Sequence, residues 1–192
     1  GRLAREPFDP EHRRLLLLGD DGRLRLLRWP EGDAAAVQPK GQDGVFVMAT
    51  FSPSGRRIAA IGQDRHLHVW DSASGERLQR LPVPGDPAGT ATTLAFSADE
   101  TLLAAGGAPT AWEWRLGEAA PFVTLRGHRD ADNRLLYTVV ALAFHPQRRL
   151  LATAAKDNTL RLWNVDTGAP VAVMTEHAAQ VEDIEFSRDG SQ

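Results

Sequence analysis

The sequence predicts an all-β fold made of about four copies of a four-stranded antiparallel unit, followed by the first strand of a fifth. Three observations predict it. Phe8, Phe51, Phe96, Phe144 and Phe186 each close an apolar alternation just before a turn, at spacings of 43, 45, 48 and 42 residues. Other residues keep fixed offsets from these phenylalanines. Asp21, Asp64 and Asp157 lie 13 residues on; Trp70 and Trp163 lie 19 on, where the first copy has Leu27. Trp114 lies 18 on in the third copy, a one-residue deletion near Ala108, and Gly32, Gly75 and Gly168 follow the Trp position by 5. Self-similarity at such a period is the mark of a repeat architecture. Finally, no segment carries an apolar stripe of helical period, whereas "HLHVWD" and "TLRLWN" alternate as strands do.

The elements follow in order within each copy. The Phe ends strand a, read as "LAREPF", "VFVMATF", "TATTLAF", "VVALAF" and, in the fifth copy, "VEDIEF". A turn rich in Pro, Asp, Ser and Gly comes next, because these residues either pre-set the backbone or tolerate positive φ. Strand b is the apolar run "RRLLLLG", "RRIAAIG", "TLLAAGG" or "RRLLATAA", and strand c carries the Trp. Strand d is a weaker run, placed at Ala34–Gln38, Arg77–Leu81, Phe122–Leu125 and Val171–Met174.

Two copies close strand c with Trp70-Asp71 and Trp163-Asn164. Gly127-His128 precedes the fourth copy, His177 holds the same place before the fifth, Gly41-Gln42 stands before the second and Pro87 before the third. On these residues the chain resembles the WD-repeat β-propeller family over almost its whole length, most specifically in its second and fourth copies. The few lysines among its 22 basic residues, only Lys40 and Lys156, read as a GC-rich coding genome and point to a bacterial member. The resemblance implies one partial WD-repeat β-propeller over 1–192. Its blades fall at about 1–40, 41–85, 86–127 and 128–176, with the next blade starting at 177–192. It also implies a hydrogen-bonded set of His, Asp, Ser or Thr, and Trp inside a blade. In the fourth blade His128, Asp157 and Trp163 are its members. The fourth place is open, since Ala155 lies two before Asp157 while Thr153 lies nearby on strand b. In the second blade Asp64 and Trp70 match, and Gln42 would have to replace His. The local alternative is that Asp64 and Asp157 cap the turn between strands b and c. Either way these residues are structural.

Composition narrows the chemistry. The chain has 192 residues, net charge −3 and no cysteine. That excludes disulfides and zinc-thiolate sites and fits a reducing, cytoplasmic setting. The charge is too small to argue for nucleic acid through bulk electrostatics, and no apolar run approaches the roughly 20 residues that span a bilayer. The chain begins at Gly1, so targeting is not judged. No GxxxxGKS/T, GxSxG, HExxH or GxGxxG motif is present, and no cofactor, metal or catalytic residue is expected. His66 and His68 lie two apart on strand c and could share a metal, but two ligands do not make a site, so a satisfied inter-strand pair is the expectation. "GDDG" at Gly19 to Gly22 puts Asp21 in the repeat's turn rather than in a cation site.

Recognition is expected on loops. Between His128 and the next strand a the chain carries about seven extra residues, within "RDADNRLLYT" at Arg129 to Thr138. Arg129, Asp130, Asn133, Arg134 and Tyr137 are the candidate partner contacts, since Tyr and Arg are typical interface anchors. The proline-rich Leu81 to Thr92 segment is the equivalent loop one blade earlier. Trp112 is an extra aromatic, placed either against a neighbouring blade or as an exposed contact. The resemblance implies a non-catalytic interaction scaffold or sensor module that binds a protein or peptide and belongs to a larger multidomain protein. Two alternatives stand: a homo-oligomer whose chains complete a ring, and an enzyme in the central channel. The second has little support, because only the first and last a strands offer acids: Glu6, Glu182, Asp183 and Glu185.

Overall fold

The computed structural model describes residues 2–11, 13–32, 37–84, 91–108, 110–128 and 137–192. Every regular element among them is a strand. The first sheet is β1 (Arg2–Phe8), β2 (Arg14–Leu18) and β3 (Leu24–Arg28); the second is β4 (Phe46–Phe51), β5 (Arg57–Gly62), β6 (His66–Asp71) and β7 (Arg77–Pro82). The third is β8 (Thr93–Phe96), β9 (Leu102–Gly106), β10 (Thr110–Arg115) and β11 (Val123–Arg126). The fourth is β12 (Val139–Phe144), β13 (Leu150–Ala155), β14 (Leu160–Asn164) and β15 (Pro170–Met174). In each sheet sequential neighbours pair antiparallel, so all four are meanders. Meandering puts the b-to-c turns and d-to-a connections at one end of a sheet and the a-to-b and c-to-d turns at the other.

The chain forms two compact units, 1–84 and 85–192. In the first, Leu16, Leu18, Leu24 and Leu26 of the first sheet pack with Phe46, Phe51, Ile58 and Trp70 of the second. In the other unit, Leu102, Ala111, Val123 and Leu125 of the third sheet pack with Val139, Leu142, Leu151 and Trp163 of the fourth. Neither sheet of a pair could bury this surface alone, which is why the unit recurs. The turns repeat as faithfully as the core. The residue 14 after the Phe has positive φ in three copies: Gly22 (71°), Arg65 (63°) and Asn158 (61°). Ten residues further on, Gly32, Gly75 and Gly168 are at 75°, 72° and 69°. A Cβ on Gly168 would also meet Val123 Cγ1 of the third sheet at 2.8 Å, so this turn packs against the sheet before it.

Two elements differ from the sequence reading. The run Ala34–Gln38 was expected as strand d of the first blade; residues 33–36 lie outside the described residues, and Val37 and Gln38 are not in a strand. Side chains take that role. The Gln38 amide accepts from Leu26 N at 2.9 Å and donates to Leu26 O at 2.7 Å. The Gln42 amide does the same for Leu24, at 2.8 and 3.0 Å. A primary amide presents the same donor and acceptor as a peptide group, so two glutamines pair the outer edge of β3. The second difference is "VEDIEF", expected as a strand a. It is assigned no strand, because no described segment lies beside it to form a ladder. Ile184 and Phe186 nevertheless pack on Ala141, Ala152 and Ala154, on the other face of the fourth sheet.

Candidate functional site

The fourth sheet gathers four sequence-marked side chains. His128 stands just before the d-to-a connection, Thr153 on β13, Asp157 in the b-to-c turn and Trp163 on β14. His128 Nδ1 lies 3.0 Å from Asp157 Oδ2, and His128 Nε2 lies 2.8 Å from Thr153 Oγ1. The Trp163 indole N–H donates to the same Thr153 oxygen at 2.7 Å. Asp157 also accepts from the Thr159 N–H and hydroxyl, at 3.0 and 2.9 Å. The chemistry assigns the protons. Asp157 accepts from His128 Nδ1–H, and the Thr153 hydroxyl donates to Nε2 while accepting from the indole. His128 is 2% exposed, and burial pushes its pKa down against the pull of Asp157. It is a neutral imidazole used as a strut.

The second sheet solves the same problem with other residues. Asp64 accepts from Arg80 Nη2 at 2.9 Å, His68 Nε2 at 3.1 Å and His66 N at 3.1 Å. Burial alone would raise the Asp64 pKa, but Arg80 and His68 outweigh it and hold the carboxyl below its usual range. The expected replacement of His by Gln42 does not occur: Gln42 is held on Leu24 and Pro39 O, and His68 from strand c takes the aspartate. His68 stacks on Trp70 at 5.6 Å and 15°. The Thr153 position holds Ala60 here, so the Trp70 indole donates instead to Lys40 O at 2.8 Å. His66 Nδ1 lies 2.8 Å from Asp64 O. The histidine pair is therefore turned toward its own turn, and no group of three or more His, Asp or Glu among the described residues could hold a metal.

Asp71 and Asn164, the last letters of the repeat phrase, act alike. Asp71 accepts from Ala73 N, Ser74 N and Ser74 Oγ; Asn164 accepts from Asp166 N, Thr167 N and Thr167 Oγ1. Each caps its c-to-d turn. Asp21 accepts from Arg23 N and from the Arg25 guanidinium, which keeps its carboxyl far below the usual range. His177 is exposed.

Of the candidate partner contacts, Arg129, Asp130, Asn133 and Arg134 lie outside the described residues. Tyr137 is half-buried against the third-and-fourth-sheet core, and its N–H donates to His128 O at 3.2 Å. Trp112 is 3% exposed, which rules it out as an exposed contact. Two buried polar groups escaped the sequence reading. Glu113 is fully buried with both carboxyl oxygens unpartnered among the described residues, and the Trp114 indole N–H is likewise unpartnered. The signal for Glu113 was available: the residue before the Trp position is Leu26, Val69 and Leu162 in the other copies.

The family model described as WD domain, G-beta repeat matches residues 37–71 and 120–164. Both segments are similar to WD repeats, and they include Asp64, His68 and Trp70 of the second sheet and His128, Asp157 and Trp163 of the fourth. Among curated proteins the chain is similar to Telomerase Cajal body protein 1 of Rattus norvegicus, 26% identical over 76% of this chain and 28% of that protein. It is similar to F-box-like/WD repeat-containing protein TBL1X of Mus musculus, 26% identical over 88% of this chain and 40% of that protein. A third relative, Transducin beta-like protein 3 of Rattus norvegicus, is 34% identical over 51% of this chain and 12% of that protein. The chain thus spans well under half the length of these relatives. All three are mammalian, which gives the bacterial expectation no support.

Proposed function

We propose that this chain is a non-catalytic recognition module of the WD-repeat β-propeller family. It holds a protein or peptide on the end of the fourth blade that carries Arg129, Asp130, Asn133 and Arg134, as part of a larger protein. The observation that carries this reading is the stem of that loop. His128 is fixed by Asp157 and Thr153, and Tyr137 closes back on His128 O while its ring packs on the core. The residues that flank this Arg-, Asp- and Asn-rich stretch are thereby held at a buried base, and binding residues concentrate on loops positioned by a scaffold. His128, Asp157, Thr153 and Trp163 bond to one another as buried struts, which supports binding rather than catalysis. The similarity to WD-repeat proteins points the same way.

The test is charge reversal on the full chain. Arg129→Glu with Arg134→Glu should reduce retained partner protein at least tenfold while leaving the unfolding midpoint unchanged. Arg56→Glu, at the opposite end of the second sheet, should leave retention unchanged. Equal retention by the double variant, or equal loss from Arg56→Glu, would sink the assignment.

A second reading, that further blades or a second copy complete a ring, is favoured by one observation. Val171, Val173 and Met174 on the outermost strand of the fourth sheet are 56%, 47% and 40% exposed. Light scattering behind size exclusion tests it. A monodisperse dimer supports a second copy, whereas a monodisperse monomer removes the second copy and leaves further blades.

A further inference from the structure

Glu113 is the one member of its structural row that does not belong there chemically. In the third sheet it stands opposite Ala104 on β9 and Val123 on β11, and Ala104 stands opposite Ala95 on β8. Residues directly opposite across strands share a face. Ala104 and Val123 belong to the core made with the fourth sheet, so Glu113 points into the joint between the two sheets. It is 0% exposed, and neither carboxyl oxygen has a hydrogen-bond partner among the described residues.

The charged groups that act on it come from the fourth sheet: Arg149, before β13, and Asp166, after β14. Arg149 bridges the joint: its guanidinium lies 2.6 Å from Asp166 and 3.7 Å from Asp99 in the a-to-b turn of the third sheet. On the strand of Glu113 itself, Arg115 lies over the Phe122 ring at 4.2 Å and acts on Asp166. Arg149 is thus already committed to two carboxylates. An ionised Glu113 would be a third acid with no donor of its own, and burying an unpaired charge costs far more than burying a neutral acid.

We propose that Glu113 is a protonation-dependent latch on the joint between the third and fourth sheets. The neutral acid lets the sheets close. The carboxylate competes for Arg149, pulls it from Asp99 and Asp166, and loosens the joint. Burial, relieved in part by Arg149 and reinforced by Asp166, pushes the Glu113 pKa up to about 8. The sign follows. A raised folded-state pKa gives stability that is complete below the unfolded value of 4.5 and is lost as pH rises to about 8. The latch is therefore released on the alkaline side of neutrality.

The test is hydrogen exchange of the full chain at pH 6.5 and 8.5, corrected for intrinsic exchange. In the wild type, amides of β9, β10 and β13 should gain on the order of tenfold in opening between the two values. Amides of β4 to β6 serve as the reference and should not change. Glu113→Gln should abolish the difference. An equal change in both units, no change, or an unaltered response in Glu113→Gln would overturn the proposal. The carboxyl carbon of Glu113 in the wild type gives a second measurement that needs no variant. A midpoint between pH 7 and 9 supports the latch, and one below pH 6 refutes it.

Discussion

Thr153 serves two buried partners with one hydroxyl. Replacing it by Val keeps the shape and strands both the His128 Nε2 and the Trp163 indole. Each stranded buried group costs about 1–3 kcal/mol, so Thr153→Val should lose about 2–6 kcal/mol in urea unfolding, and Thr153→Ser should keep most of it. The member of the set was hard to place from sequence because counting back from Asp157 follows the chain, whereas the contact follows the sheet. Thr153 stands opposite Arg161, and the indole reaches it along the diagonal from Trp163. Backbone strain is the other residue-scale effect. Arg65 sits at φ 63° where the first copy has Gly22. Arg65→Gly should therefore raise the free energy of unfolding in urea by about 0.5–1 kcal/mol once the extra entropy of glycine is subtracted.

At the scale of elements, the repeat made all fifteen described strands legible as parts of a meander, and it placed Trp70, Trp114 and Trp163 in the core. It could not show that side chains complete the edge of β3, because a glutamine amide leaves no periodic trace. The device is testable. Gln38→Ala with Gln42→Ala removes two donors and two acceptors from the β3 edge. It should cost about 1–3 kcal/mol and speed hydrogen exchange at Leu24 and Leu26. Gln38→Glu should be worse than Gln38→Ala, since a carboxylate cannot donate to Leu26 O and places a charge beside it. Unchanged exchange at both leucines in the double variant would mean that another segment pairs this edge.

At the scale of the whole molecule, stability should be squeezed from both sides of neutrality. His68 and His128 both have pKa values pushed below 6.5 by burial, so the folded state binds fewer protons than the unfolded chain. Their contribution is complete above 6.5 and is lost as pH falls through that value toward the folded-state pKa. Glu113 slopes the opposite way, so the acid limb is best read in Glu113→Gln. There, unfolding free energy should fall as pH drops below 6.5, and His68→Gln should remove part of the slope. A flat profile would show that these histidines are not held neutral. The histidines were legible as repeat positions. Their neutrality was not, because it depends on burial that only packing reveals.

The polar clasps between successive sheets also have a direction. In the first unit Arg14 donates to Gly55 O and Ser72 O of the second sheet; in the other unit Thr92 donates to Val139 O, and His145 Nε2 meets Gly190 O. In these contacts the gripping side chain precedes the carbonyl it grips, whereas Arg149 of the fourth sheet reaches back to Asp99 of the third. A ribosome releases about 5–20 residues per second, so a new blade emerges every few seconds. Within each unit, an arriving turn thus finds a donor already in place on the sheet before it, so each pair of sheets can close as soon as its second member is made.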